Sequence, residues 1–340
     1  MEIVGLMAGT QSHYVHRAFF ESVCNTIVSL DVPTPDVPFY KVVRAAHFIA
    51  NFRRNELNSA DVVLSESIYE YASLYKRLFQ KNLKIIELFA SPKIFKIMNN
   101  KIDPFSSVLL RSLIREVDAF LPVSQMCADF LRKKDIDKPI KVVHPFVSDI
   151  KYSYLSKTKY DANSKNIICI GNSIEYKGID FLLTVFDALC LRNHDLRLRL
   201  VTKGIPEKYF AGIRNIDKIT IGQIPEDTQF CDTVSSSLLA IHFGRYDTAP
   251  LSTLETMLAG VPTFVSEWTG TKEFAEKVDR RFVLPFDVEK SVDEIERFLC
   301  LSENTKRVYS KKFRELAIPF NKKQQVAKFK KVFADLASSL

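Results

Sequence analysis

Glycine is scarce in this chain, 10 of 340 residues, where a share of about 7% is usual. Neither G-x-G-x-x-G nor a G-K-[ST] phosphate loop occurs, which removes the dinucleotide fingerprint and nucleoside-triphosphate hydrolysis as motif-based readings. The six cysteines, Cys24, Cys127, Cys169, Cys190, Cys231 and Cys300, include no C-x-x-C pair. Four of them lie among apolar neighbours, as reduced core thiols do, rather than in a disulfide framework or zinc site. No metal cluster is legible, so no metal is expected. No apolar run approaches the roughly 20 residues that span a bilayer, and Met1-Glu2-Ile3-Val4 lacks the basic start of a secretory signal. A soluble, cytoplasmic protein is the expectation.

What is present is ordinary globular composition, 46% apolar and 26% charged, over a length that supports two cores. The net charge of +8 is spread along the chain, with a cluster at Lys322, Lys323, Lys328, Lys330 and Lys331. Nucleic acid, an anionic membrane face and a phosphorylated ligand all suit such a charge. No helix-turn-helix, zinc or RNA-binding signature accompanies it, so nucleic acid is set aside.

Short apolar runs alternate with helix-period segments throughout, the pattern of parallel sheets covered by helices. In the first half the spacing predicts strands at Glu2 to Met7, Asp61 to Leu64, Lys84 to Phe89, Ala119 to Val123 and Ile140 to His144, with helices at Phe39 to Arg54 and Ser124 to Lys134. The polar stretch 149–165 reads as an interdomain linker. The second half predicts strands at Asn166 to Ile170, Arg197 to Val201, Lys218 to Ile221, Leu238 to His242 and Thr263 to Ser266, and helices at Ile179 to Leu191 and Pro250 to Ala259. The expected fold is α/β, two doubly wound domains at 1–148 and 166–320. A final helix at 321–340 carries Val326, Phe329, Phe333, Leu336 and Leu340 on one face, suited to packing back on the first domain or, in the other reading, to a membrane surface.

The segment from His242 to Pro262 reads strand, loop, helix, stop, strand. Thr248 is placed to cap the helix, Pro250 is tolerated in its first turn and Gly260 ends it. Leu251, Leu254 and Leu258 form its core-facing stripe, and Glu255 lies on the edge of that face. A half-buried carboxylate needs a donor, either the hydroxyls of a ribose or a neighbouring lysine or arginine.

Asp247, seven intervening residues and Glu255, followed by Thr256-Met257-Leu258-Ala259-Gly260-Val261-Pro262, resemble the E-x7-E region of the group 1, or family 4, retaining glycosyltransferases. The likeness extends to Gly171-Asn172-Ser173-Ile174-Glu175-Tyr176-Lys177-Gly178, Leu121-Pro122-Val123-Ser124, Lys141-Val142-Val143-His144-Pro145 and Thr269-Gly270-Thr271-Lys272-Glu273, an ordered set from Ala119 to Ala275. The resemblance implies a GT-B fold, two Rossmann-like domains facing across a cleft. It also implies a nucleotide-diphosphate sugar as donor substrate and transfer to a saccharide or lipid-linked acceptor with retention, with no further cofactor. By similarity Lys177 binds the diphosphate and Asp247 meets the donor sugar, the two residues closest to the chemistry. Glu255 would hold the ribose, the amides of Leu251 and Ser252 would meet the phosphates, and Gly171, Asn172, Gly9 and Thr10 would line the donor site. Physical chemistry favours Lys177 separately, since a cation just before a helix opposes the dipole until an anion arrives. The alternative is a solvated surface lysine.

The chain also departs from the family. Asp247 replaces the usual glutamate, Asn172 stands where many members have an arginine, and Pro250 removes one amide; Arg245 is a candidate to help Lys177. The first loop has one glycine, Gly9, where two are common, and no histidine follows the fourth strand, leaving His13, His47 and Glu66 as candidates on the acceptor side. Two rival readings stay open: a non-catalytic sugar-nucleotide-binding or scaffold protein, and a sugar-nucleotide epimerase, for which no paired acid and base is visible. Basic charge leaves open a peripheral contact with an anionic membrane face.

Overall fold

The computed structural model describes residues 1–9, 13–30, 57–99, 104–172, 174–192 and 195–340. The chain divides into two compact units, Met1–Pro145 with Lys323–Leu340, and Phe146–Lys322. The expected helix at Phe39 to Arg54 lies outside the described residues.

The first unit is built on β1 (Ile3–Ala8), β2 (Thr26–Leu30), β3 (Val62–Glu66), β4 (Lys84–Phe89) and β5 (Ala119–Pro122). They form one parallel sheet in the order β2-β1-β3-β4-β5. The strands read as apolar runs such as Val62-Val63-Leu64 because helices cover both faces of a parallel sheet. β2 was not legible as a strand. It is an edge strand of half-buried residues whose apolar run is only Ile27-Val28, broken by exposed Ser29. Helices α1 (Tyr14–Val23), α2 (Tyr69–Leu78), α3 (Lys93–Met98), α4 (Pro104–Ile114) and α5 (Gln125–Lys133) accompany these strands. Ser124 caps α5 by accepting from Cys127 N.

The expected strand at Ile140 to His144 is reduced to a single bridge between Phe120 and Ile140. The segment does run beside β5, with Phe120 N donating to Pro139 O, Lys141 N to Phe120 O and Val143 N to Pro122 O. The next ladder bond needs an amide at position 122. Proline has none, so regular pairing stops there.

The second unit contains α6 (Asp149–Leu155), β6 (Asn166–Ile170), α7 (Ile179–Leu191), β7 (Arg197–Val201), β8 (Ile219–Ile221), α8 (Asp227–Ser235), β9 (Leu239–His242), α9 (Leu251–Leu258), β10 (Thr263–Ser266), α10 (Lys272–Val278), β11 (Val283–Leu284), α11 (Val288–Leu299) and α12 (Glu303–Ala317). Its parallel sheet runs β11-β10-β9-β6-β7-β8. The stretch 149–165 is no open linker. It begins with α6, and Leu155, Tyr160 and Ala162 are buried in the second unit's core. Burying three side chains between polar neighbours fixes such a stretch although it shows no period.

The last helix, α13 (Lys322–Ser339), clusters from Lys323 onward with the first unit. Phe329, Phe333 and Leu336 are buried, and the Phe329 ring stacks on Phe19 of α1 at 4.4 Å between centroids.

Candidate functional site

In an open parallel sheet, ligands gather outside the C-terminal strand ends where the winding reverses. In the second unit that point lies between β6 and β9, adjacent in the sheet although β7 and β8 intervene in sequence. Gly171 and Asn172 follow β6, and the loop from Phe243 to Pro250 follows β9. The two loops are tied by Arg245 N donating to Tyr176 O at 2.8 Å.

Lys177 and Asp247 meet here. Lys177 Nζ lies 2.6 Å from Asp247 Oδ2, and His242 Nε2 lies 2.8 Å from the same oxygen. Tyr176 Oη donates to Asp247 Oδ1 at 3.3 Å. The Asp247 side chain is 5% exposed and that of Lys177 21%. Burial alone would push the Asp247 carboxyl up, but Lys177 and His242 outweigh it and hold the group down at about 2. His242 is pushed down by burial and by Lys177, against the pull of Asp247. The loop is fixed by Asp247 N donating to Trp268 O and Gly270 N to Asp247 O. Tyr246 takes a left-handed φ of 62°, a conformation that non-glycine residues hold where neighbours over-determine it, often at functional sites.

This arrangement has a pH signature. The Asp247 folded-state value is depressed, so its stabilisation is complete above the ordinary value of 3.8 and is lost as pH falls through about 2. At 1.36 kcal/mol per unit, roughly 2 kcal/mol disappears between pH 5 and pH 2. Urea unfolding across that range is expected to show the gap between wild type and Asp247→Asn closing by that amount; a gap independent of pH contradicts the pairing.

Glu255 sits at the edge of the buried face of α9, as its position suggested, and is 5% exposed. Of the two donors weighed for it, the cation is present. Lys151 Nζ of α6 lies 3.0 Å from Glu255 Oε1, 3.9 Å from Asp227 Oδ1 and 3.9 Å above the Phe230 ring centroid. Burial pushes the Glu255 carboxyl up, and Lys151 partly offsets this. Lys151 escaped the sequence reading because it lies 104 positions away in the presumed linker.

The remaining candidates are placed as follows. Leu251 and Ser252 open α9, whose first amides lack intrahelical acceptors. The residue preceding that helix is Pro250, not Thr248, and no side chain caps it; Thr248 lies too far back to reach the N2 or N3 amide of a helix that starts at Leu251. Arg245, expected to assist Lys177, forks onto Asp180 at 2.7 and 2.9 Å. Asn172 Oδ1 accepts from Lys203 N at 3.1 Å, and Gly171 lies against the Lys177 stem.

In the first unit the winding reverses between β1 and β3. Gly9 follows β1, and Glu66 ends β3 with Oε1 at 2.6 Å from His16 Nδ1, a partner the sequence reading missed. His13 caps α1, accepting weakly from Val15 N. Desolvation, then His16, push its imidazole down to about 4, with Glu66 opposing. Thr10 and His47 lie outside the described residues. Beneath this edge, fully buried Glu87 accepts from Ser65 Oγ and, at 2.8 Å, from Ser67 N, and burial pushes its carboxyl up. Among the described residues no group of three or more metal-ligating side chains occurs, and no helix is long and apolar enough to cross a membrane.

Residues 164–300 match the sequence profile of the family described as Glycosyl transferases group 1. A curated protein of Haemophilus influenzae, described as an uncharacterized glycosyltransferase, is 24% identical over 149 residues, 43% of this chain and 41% of that protein. The matched region is thus under half of that relative's length. Sucrose-phosphate synthase from Thermosynechococcus elongatus superposes with a TM-score of 0.74 at 14% identity, covering 100% of both chains. A UDP-forming α,α-trehalose-phosphate synthase from Burkholderia xenovorans superposes at 0.70 with 11% identity, covering 99% of each.

Proposed function

We propose, from the premise that this is a GT-B protein whose second unit is of the group 1 glycosyltransferase type, that the chain moves a sugar from a nucleoside-diphosphate donor to an acceptor hydroxyl, with retention and without a metal. The observation that carries this reading is the gathering of Lys177, the open amides at the start of α9 and buried Glu255 around one sheet-winding reversal. As the bond from the sugar's anomeric carbon to the diphosphate breaks, negative charge grows on the departing oxygen. A lysine and fixed amides supply positive charge where it develops. Glu255 is placed to accept the ribose hydroxyls. The acceptor oxygen bonds to the anomeric carbon, and its proton passes to the departing phosphate. In the first unit, His16 paired with Glu66 supplies a polar edge suited to hydroxyl groups.

A panel of UDP, GDP and ADP with their sugars tests this by thermal unfolding. A ligand at about 100 times its Kd is expected to add roughly 2.7 kcal/mol. The shift is expected to vanish in Glu255→Ala and Lys177→Ala proteins that still fold. If none of the panel shifts the wild type, the donor reading falls.

A second reading, a binding protein without turnover, is favoured by Arg245 being committed to Asp180 and by the uncharged Asn172. Release of free sugar or a glycoside from the stabilising donor separates the two.

A further inference from the structure

This inference rests on the diphosphate reading of Lys177. Asp247 Oδ2 accepts from two side chains at once, Lys177 Nζ at 2.6 Å and His242 Nε2 at 2.8 Å. An ionised carboxylate only accepts, so His242 carries its proton on Nε2. His242 is the last residue of β9 and is 3% exposed, so it reaches Asp247 from inside the protein whereas Lys177 reaches it from the accessible side. Gly244 makes the room. A Cβ there would stand 2.7 Å from Asp247 Cβ, 2.9 Å from Thr269 Oγ1 and 3.0 Å from His242 Nε2. Any side chain at 244 would drive the pair apart.

The geometry points to a cation exchange at Asp247. In the ligand-free protein Asp247 holds Lys177 as its counter-ion, a nucleoside diphosphate draws Lys177 away, and His242 is the positioning residue that keeps the carboxylate held once Lys177 has left.

Two consequences follow from the shared oxygen. Asp247 competes with the diphosphate for Lys177, so the carboxylate holds back diphosphate binding even as it serves the donor sugar. His242 touches no ligand, yet its loss leaves Oδ2 of the buried carboxylate with Lys177 as its donor and so weakens diphosphate binding.

Isothermal titration of the full chain with UDP, or with GDP or ADP if that nucleotide gave the thermal shift, tests the exchange. Asp247→Asn is expected to bind the diphosphate at least about threefold tighter than wild type, and His242→Leu about tenfold weaker. His242→Gln, whose amide N–H can donate to the same oxygen, is expected within about threefold of wild type. In an Asp247→Asn background His242→Leu is expected to have no further effect, because the coupling runs through the carboxylate. Asp247→Asn binding no tighter than wild type overturns the inference, as does His242→Leu acting equally in both backgrounds. If His242→Leu does not fold, the Asp247→Asn and His242→Gln arms decide. Wild type binding none of the three nucleotides overturns the donor reading as well. Binding that Lys177→Met abolishes but Asp247→Asn does not tighten overturns the exchange alone.

Discussion

Lys177→Ala is expected to lower kcat/KM for sugar transfer by roughly 100- to 1,000-fold, the scale of losing one preorganised charge at a developing anion. Arg245 is forked onto Asp180 and Asn172 carries no charge, so neither nearby side chain stands ready to replace the ammonium. The deletion also strips a buried carboxylate of its nearest cation, which destabilises the protein. The double variant Lys177→Ala with Asp247→Asn removes that complication. It is expected to recover stability but not turnover. The comparison is made with the donor that stabilises the wild type, by steady-state rates and urea unfolding on the same preparations. A loss of less than about fivefold in the single variant means that the diphosphate is held elsewhere.

Gly178→Ala is expected to cost about 3 to 5 kcal/mol of stability, the larger part from overlap and the rest from the backbone. Gly178 precedes α7 with a φ of 67°, and an added Cβ would lie 1.9 Å from Phe243 O and 2.5 Å from Phe243 Cβ. Phe243 cannot give way, because its ring is fully buried and packs edge-on against Phe181 at 4.8 Å between centroids. Gly212→Ala is the control: its φ is 83° and nothing lies within 4 Å of the added carbon, so only the backbone term, roughly 1 to 2 kcal/mol, is expected. Urea unfolding of the two variants separates overlap from strain. Equal losses contradict the close approach of the two loops.

The loop carrying Lys177 therefore stands where it does because residue 178 has no side chain, and this contact joins residues 65 positions apart. Such dependence explains which parts of the site were legible. The strand Asn166–Ile170 and helix Ile179–Leu191 match their expected bounds, since each is set by an apolar run and its flanking turns. Glu255 was found on the edge of a buried face because helical spacing places it there. Its partner was not, because nothing local to Glu255 points to Lys151. The same holds for His242, an unremarked residue at the end of an expected strand until Asp247 folds back onto it, and for His16, which meets Glu66 only because β1 and β3 are neighbours.

From the sequence alone came the alternation of strands and helices, the α/β class, the bounds of Asn166–Ile170 and Ile179–Leu191, and the placing of Lys177 and Asp247 on loops after strands and of Glu255 on a helix that follows one. These follow from interactions within a few residues: pleat and helix periodicity, capping, and proline and glycine stops. Tertiary structure alone decided which side chain answers each charge. Asp247 takes Lys177 and His242, Glu255 takes Lys151, and Arg245 is drawn off to Asp180. Ion pairs and buried hydrogen bonds act over a few ångströms of space but across as many as 104 positions of chain, and only the order of strands in the sheet brings such positions together.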